Sequence, residues 1–297
     1  FYVIDRETGK LVSAEAFVET TWATHIDIET GRPVEVPGAR YETDTAYITP
    51  NAYGAHSWPA MSYSPQSGLA YIPAIHLASN YSDLGFDIDG FQMQPFVGGF
   101  GVNPLPADPP REYPASLIAW DPINQQAAWE IPQQSGPNGG TLTTAGGLLF
   151  QGRADGRFIA YDAKTGDELW NFDMGLGMTA APITYELNGK QYVSMLVGWG
   201  GGSAGLGALF STDKFSGSNL GWDYGKHMRR LVTFSLDGTA EMPAQPPPYF
   251  PQPIEAPDFE IEIVEVADPT PGAGEVVVDI TVDLDRLPMG MGMGHDG

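Results

Sequence analysis

Two short stretches carry residue types suited to holding a flat small molecule. The first is Ser57-Trp58, set between Tyr53-Gly54-Ala55-His56 and Pro59-Ala60-Met61-Ser62-Tyr63. An indole has a broad apolar face and one N–H donor. A tryptophan here therefore fits three roles: a core plug, a docking residue between β-units, or one wall of a pocket for a planar ligand. The second stretch is Gly198-Trp199-Gly200-Gly201-Gly202. Without a Cβ, glycine lets the backbone come close to such a ligand, although the run also fits a tight bend after a strand at 192–197. No G-x-G-x-x-G precedes a helical pattern, so neither a phosphate loop nor a dinucleotide fingerprint is present.

Other reactive side chains are sparse. His25, His56, His76, His227 and His295 are scattered, with no pair at metal-ligand spacing, and each is expected to be a hydrogen-bonded structural or surface residue. Cysteine is absent, which excludes disulfides, thiolate metal sites, a cysteine nucleophile and covalent haem attachment within this sequence. The last ten residues place Met289, Met291, Met293 and His295 among glycines. Soft copper ligation is conceivable there, but a lone histidine with no framework favours a flexible tail.

The elements that must position these residues are short and β-prone. The 297 residues include 37 Gly and 26 Pro and no long helical period, which points to an all-β chain with a sizeable core. The formal charge of −23 argues against nucleic acid as a partner, because phosphate contacts need Lys and Arg. No apolar run reaches the length of a membrane span. The chain opens on Phe1-Tyr2-Val3-Ile4, a strand pattern with no signal peptide before it, so it is expected to be a fragment whose first strand partners lie upstream.

A turn pattern recurs along the chain. Asp5, Asp27 and Asp162 each open an Asp-x-x-Thr-Gly turn, in which the Asp side chain can accept from amides two and three residues on and Gly accepts a positive φ. Ser64-Pro65-Gln66-Ser67-Gly68 and Asp121-Pro122-Ile123-Asn124-Gln125 are variants, and a faint copy lies at 232–238. In the two clearest units Ala and Trp stand ten positions apart, at Ala119 and Trp129 and at Ala160 and Trp170. Repeats of several short strands each, none able to bury its faces alone, signal a radial β array such as a propeller. The uneven spacing implies long insertions, at 76–111 and 200–219. From Pro243 the composition changes. A Pro-rich connector is expected over 243–258, an acidic β-hairpin extension over 259–287 and a Gly/Met tail over 288–297, leaving 1–242 for the partial propeller.

Taken together these residues resemble a known family. The Ala-x-Asp-x-x-Thr-Gly-x-x-x-Trp unit at 160–170 is similar to the tryptophan-docking motif of the eight-bladed quinoprotein dehydrogenases. SWPAMSYSPQSGLAYIPA (57–74), GGTLTTAGGLLFQGRADGRFIAYDAKTGDELW (139–170) and YVSMLVGWGG (192–201) resemble the alcohol dehydrogenases that use pyrroloquinoline quinone (PQQ). The quinohaemoprotein type, in which a c-type cytochrome domain follows the propeller, is the most similar subgroup. The resemblance implies the C-terminal half of such an enzyme, about four blades, with the quinone on the propeller axis beside a calcium ion. In that family an Asp takes the alcohol's proton while hydride passes to the quinone, the cation polarising the quinone carbonyl.

That Asp and the calcium ligands are expected upstream of Phe1. Ser57 and Trp58 match an Asn-Trp pair that contacts the quinone, with Ser a shorter donor than Asn. Gly201 and Gly202 match a turn that touches the cofactor through its backbone. Trp129 and Trp170 match docking tryptophans. The family's haem-binding Cys-x-x-Cys-His is absent from this chain, so haem c would belong to the full-length protein.

The resemblance further implies a periplasmic location, a small alcohol as substrate, a cytochrome c or similar electron acceptor, and the missing N-terminal half of the propeller as a partner. The rival reading is a non-enzymatic β-propeller scaffold or assembly factor that binds protein partners. A scaffold would have no reason to bring Ser57-Trp58 and 199–202 to one end of the propeller.

Overall fold

The computed structural model describes residues 1–41, 44–51, 53–82, 102–103, 113–134, 136–198, 220–223 and 225–250. The described residues are organised by strands and turns, and no helix among them is long and apolar enough to cross a membrane. The chain divides into two compact units, Phe1–Pro251 and Gln252–Gly297. The acidic hairpin and the Gly/Met tail fall outside the described residues.

Strands β1 (Tyr2–Ile4) and β2 (Leu11–Ala14) form one hairpin, and β3 (Ala23–Ile26) and β4 (Pro33–Glu35) a second. A small sheet joins β5 (Ala46–Ile48) to strands β8 (Ser79–Tyr81) and β9 (Val102–Asn103). Two complete four-stranded antiparallel sheets follow. The first runs from β6 (Ser62–Ser64) through β7 (Leu69–Ile75) and β10 (Ala115–Asp121) to β11 (Gln126–Gln133). The second runs β12 (Thr141–Thr143), β13 (Leu148–Gly152), β14 (Arg157–Asp162), β15 (Glu168–Asp173). A third sheet has three strands, β16 (Ile183–Leu187), β17 (Lys190–Val197) and β18 (Arg230–Phe234). The insertion expected after His76 thus begins with β8, which leaves the first sheet to pair with β5.

The middle strands read as unbroken apolar runs because both their faces are covered. In β7, β10 and β14 alternate residues go to opposite sides. Leu69, Tyr71, Leu117 and Ala119 of the first sheet pack on Leu149, Ile159 and Tyr161 of the second. The second sheet's other face, with Phe150, Phe158 and Ala160, packs on Met195, Val197 and Phe234 of the third. The first sheet's far face, with Ile72, Ile118 and Trp120, is covered by Phe1, Phe17 and Val18. Burial of each large side chain contributes about 2 kcal/mol, so the joints between sheets carry most of the hydrophobic stabilisation.

The ten-residue spacing of Ala and Trp acquires a physical reason here. Ala119 lies directly across from Trp129, and Ala160 from Trp170, each pair next to an irregularity in the register. A small residue opposite leaves room for the indole to lean towards the next sheet. Trp129 lies on Gly166, where a Cβ would come within 2.9 Å of Trp129 Cδ2. Tyr71, whose ring centroid is 5.7 Å from that of Trp129, donates its hydroxyl to the Ala163 carbonyl at 2.6 Å. Trp170 instead meets Phe234 edge-on at 5.4 Å. The third sheet's turn is also shorter, closing from the Gly238 amide to the Ser235 carbonyl at 3.0 Å. Both features explain why the last copy of the repeat is faint.

Segment 239–250 forms no strand, yet it is anchored. Met242 packs in the joint between the second and third sheets, and Arg230 donates to the carbonyls of Pro243 and Ala244. The Tyr249 amide donates to the Gly221 carbonyl at 2.7 Å.

The repeated turns are superimposable in their bonding. In each, the fifth residue's amide donates to the first Asp's carbonyl, at 2.8 Å for Gly9, 2.7 Å for Gly31, 2.8 Å for Gln125 and 2.9 Å for Gly166. The Asp162 carboxylate accepts from the amides of Lys164 at 2.8 Å and Thr165 at 3.0 Å, and the other three Asp residues do the same. Gln125 occupies the glycine position at φ 53°. Because the left-handed region costs a side-chain-bearing residue about 1–2 kcal/mol, Gln125→Gly should stabilise the protein by about 1 kcal/mol. Gly166→Ala should destabilise it by about 2 kcal/mol, from the same conformational cost plus the displaced Trp129. Urea denaturation of the two variants checks both signs.

These hydrogen bonds also set an acid limit. Donation from Thr8 (hydroxyl, then amide) to Asp5, and from the amides of Thr30, Asn124 and Thr165 to Asp27, Asp121 and Asp162, holds all four carboxyls below their ordinary range. A carboxyl with a depressed folded-state pKa adds stability in full above its unfolded value of about 4 and loses it as pH falls through the folded value. Stability should therefore be flat from pH 7 to about 5 and decline below about 4. Replacing the four Asp with Asn should flatten that decline in thermal melts recorded across the range.

Candidate functional site

The three larger sheets each begin with an edge strand, β6, β12 or β16; these inner strands start against one another, and the residues just before them are small for a packing reason. Gly140 precedes β12, and a Cβ there would lie 2.6 Å from the Ala60 amide nitrogen and 2.8 Å from Ala181 Cβ. A Cβ on Gly139 would lie 2.6 Å from the Ala180 carbonyl oxygen. Ala60 stands just before β6 and Ala181 just before β16. Three inner strands thus start side by side, with almost no side-chain volume between them.

Ser57 and Trp58 sit beside this rim. On their N-terminal side, the Ala55 carbonyl accepts from the Ile75 amide at 2.8 Å and His56 Nδ1 bonds the Pro73 carbonyl at 2.9 Å. On their C-terminal side, the Ala60 carbonyl accepts from the Thr141 amide at 2.8 Å and the Thr141 hydroxyl at 3.2 Å. Held at both ends, Trp58 is nevertheless 57 % exposed, whereas Trp120 is buried and Trp129 partly buried. Among the described residues Trp58 is neither a core plug nor a docking residue between sheets.

The third sheet brings a second part of the site to the same end. Ile183, at the start of β16, pairs with Ser194 near the end of β17, so β17 leaves the sheet at the end where the inner strands begin. Gly198 follows, its amide donating to the Gly177 carbonyl at 3.0 Å. Gly201 and Gly202 lie outside the described residues. A shallow cavity of about 360 Å³ opens there, lined by Thr179, Ala180, Val197, Gly198, Arg229 and Leu231 among others. Ala180 lines it, its neighbour Ala181 touches Gly140, and Gly140 touches Ala60. A run of small residues therefore connects the cavity to Trp58.

The cavity opens at the edge of the third sheet's exposed face, where Leu196 and Leu231 also line it. Arg229 was not singled out from sequence, although Lys226-His227-Met228-Arg229-Arg230 is a dense basic run in an acidic chain. The described histidines are structural, as expected. His76 Nε2 is 2.7 Å from the Ser116 hydroxyl and 3.3 Å from Glu130, and burial pushes its pKa down against the opposing carboxylate. His227 Nδ1 accepts from the Asp223 amide at 2.9 Å. No three His, Asp or Glu converge as a metal site among the described residues.

Comparison with known proteins agrees with this architecture. Residues 118–193 match the family model for the glucose/ethanol/alcohol dehydrogenase β-propeller domain, named for PQQ. The quinohemoprotein alcohol dehydrogenase ADH IIB of Pseudomonas putida is 41 % identical over 268 residues, which is 88 % of this chain and 37 % of that protein. Over most of its length the chain is similar to the quinoprotein alcohol dehydrogenases and carries part of their β-propeller. The 1-butanol dehydrogenase (cytochrome c) of Thauera butanivorans is 42 % identical over 252 residues, 82 % of this chain and 34 % of the relative. Among solved structures, the quinohemoprotein alcohol dehydrogenase of Comamonas testosteroni superimposes with a TM-score of 0.65 at 38 % identity, covering 82 % of this chain and 35 % of that one. The chain thus spans about a third of the length of the relatives it matches. The stacked sheets are propeller blades, and the rim of small residues is where their inner strands meet.

The two kinds of tryptophan should separate experimentally. Trp129→Ala removes an indole that fills a blade joint and should cost about 3 kcal/mol, while Trp58→Ala should cost less than about 1 kcal/mol. Chemical denaturation of the two variants checks the contrast.

Proposed function

We propose that the chain is part of a PQQ-dependent alcohol dehydrogenase and supplies one wall of its quinone pocket. The observation that carries this reading is the exposed Trp58, held at both ends beside the inner-strand rim, at the end where β17 gives way to Gly198. A flat aromatic face, a hydroxyl on Ser57 and the Arg229 guanidinium fit a planar, anionic quinone. When bound, the quinone would accept hydride from the alcohol carbon.

The part of this chain is to bind and orient. Trp58 would cover one face of the ring system, Ser57 would offer a hydrogen bond and the small rim would let the ring system lie close to the backbone. The general base and the calcium ligands would come from the portion of the relatives that this chain does not cover, and the same holds for any haem. A periplasmic location, a cytochrome acceptor and completion of the propeller by an N-terminal half belong to the same proposal. The scaffold reading loses its discriminating feature as far as Gly198, because that residue and Trp58 stand at one end of the blades.

Two measurements test the proposal. PQQ added to the chain should quench Trp58 emission, isolated by difference from Trp58→Phe. The chain alone, given PQQ, calcium and a primary alcohol, should reduce no dye. Absence of any quenching would remove the pocket wall, and robust dye reduction would show that the base lies within this chain.

A further inference from the structure

A buried chain of amide side chains runs between the first two complete blades and ends on the rim beside Trp58. Asn138 Nδ2 donates to Gln133 Oε1 at 2.6 Å, Gln133 Nε2 donates to Gln151 Oε1 at 2.8 Å, and Gln151 Nε2 donates to the Gly139 carbonyl at 3.0 Å. Asn138 Oδ1 in turn accepts from the Ala154 amide at 2.9 Å. Gln133 and Gln151 are fully buried and Asn138 nearly so. Four polar contacts in a dry joint define one arrangement, since a rotated amide would set donor against donor.

Among the described residues the bulk of each joint is filled by apolar side chains, so this polar chain is not needed to fill space. Its terminal contact is with Gly139. Gly139 and Gly140 then pass the position on: Gly140 lies against the Ala60 amide nitrogen, and Thr141 holds the Ala60 carbonyl through its amide and hydroxyl. Ala60 is two residues from Trp58. We infer that Gln151, oriented by Gln133 and Asn138, is a positioning residue for Trp58: it sets the height of the Gly139-Gly140 rim and through Thr141 and Ala60 fixes the plane of the indole. The functional meaning of this linkage rests on the reading of Trp58 as a quinone wall, but the linkage itself is a mechanical property of the chain.

The test uses the full chain labelled with 5-fluorotryptophan, whose seven tryptophans give separate fluorine resonances, the Trp58 signal being assigned with Trp58→Phe. Gln151→Met keeps the side-chain length and removes the donor to Gly139. The expected result is a displaced or doubled Trp58 resonance with the Trp170 and Trp222 resonances unmoved. Leu117→Ala, in the apolar part of the same joint, should lower stability and leave Trp58 in place. A Trp58 signal unchanged in Gln151→Met, or moved equally by Leu117→Ala, overturns the inference. Should Gln151→Met not fold, Gln133→Met removes the grip on Gln151 while keeping its bond to Gly139, and the same displacement is required of it. PQQ titrated into the parent protein separates the two readings. A Trp58 signal that responds to Gln151→Met but not to the quinone upholds the linkage and rejects the pocket.

Discussion

A β-sheet that is apolar on both faces is stable only when both faces are covered, and everything else in this chain follows from that constraint. The middle strands β7, β10 and β14 send large side chains to both sides. The joint between the first two complete blades is then registered by two contacts with defined geometry: the Trp129 indole on Gly166, and the Tyr71 hydroxyl on the Ala163 carbonyl. Both end on the Asp-capped turn of the next blade, which is why that turn and that tryptophan recur together in sequence. The turn is built by an Asp carboxylate accepting amides that would otherwise be unsatisfied. Its fifth residue must take a positive φ, and in the second complete blade it must also lack a side chain to admit the indole.

Much of this was legible in the sequence, because it is local. Asp-x-x-Thr-Gly names its own hydrogen bonds, and the ten-residue spacing of Ala and Trp encodes a cross-strand pair with a register irregularity. What sequence could not supply was the meeting of distant segments. Gly139-Gly140 is, in sequence, only the small start of a hydroxylated stretch until Ala60 and Ala181 are found against it. Gln133, Asn138 and Gln151 are ordinary polar residues in sequence, and only burial turns them into a directed chain. Trp58 illustrates the limit best. Its residue type fits three roles, with packing the default reading for any one of seven tryptophans, and the choice depended on how far the surrounding strands covered it.

The site inherits its precision from the blade joints and its opening from the residues between them. Small residues are needed where inner strands converge, simply because their backbones approach too closely for a Cβ. The same lack of volume continues to Ala180, which lines the shallow cavity that also includes Gly198 and Arg229. A packing requirement and a binding requirement therefore select the same residues, so a glycine on this rim is not evidence of binding by itself. The exposed, doubly anchored indole is the feature that packing does not explain.

The third blade extends the opening constraint in one direction. Its inner face is closed against Phe158 and Ala160, but its outer face presents Ile183, Tyr185, Leu187, Leu196 and Leu231, with Leu231 67 % exposed. Cross-strand pairing places these residues on one side, where Tyr185 stacks on Tyr192 at 5.5 Å and the hydroxyls of Ser194 and Thr233 meet at 2.8 Å. This is the pattern of the covered faces, an apolar ladder with its few hydroxyls already paired, and it lies open among the described residues. A face of this kind is a liability for a sheet left alone and an asset for one that receives a neighbour. The relatives are about two and a half times as long as the chain, which supports the proposal that another blade of the ring covers it.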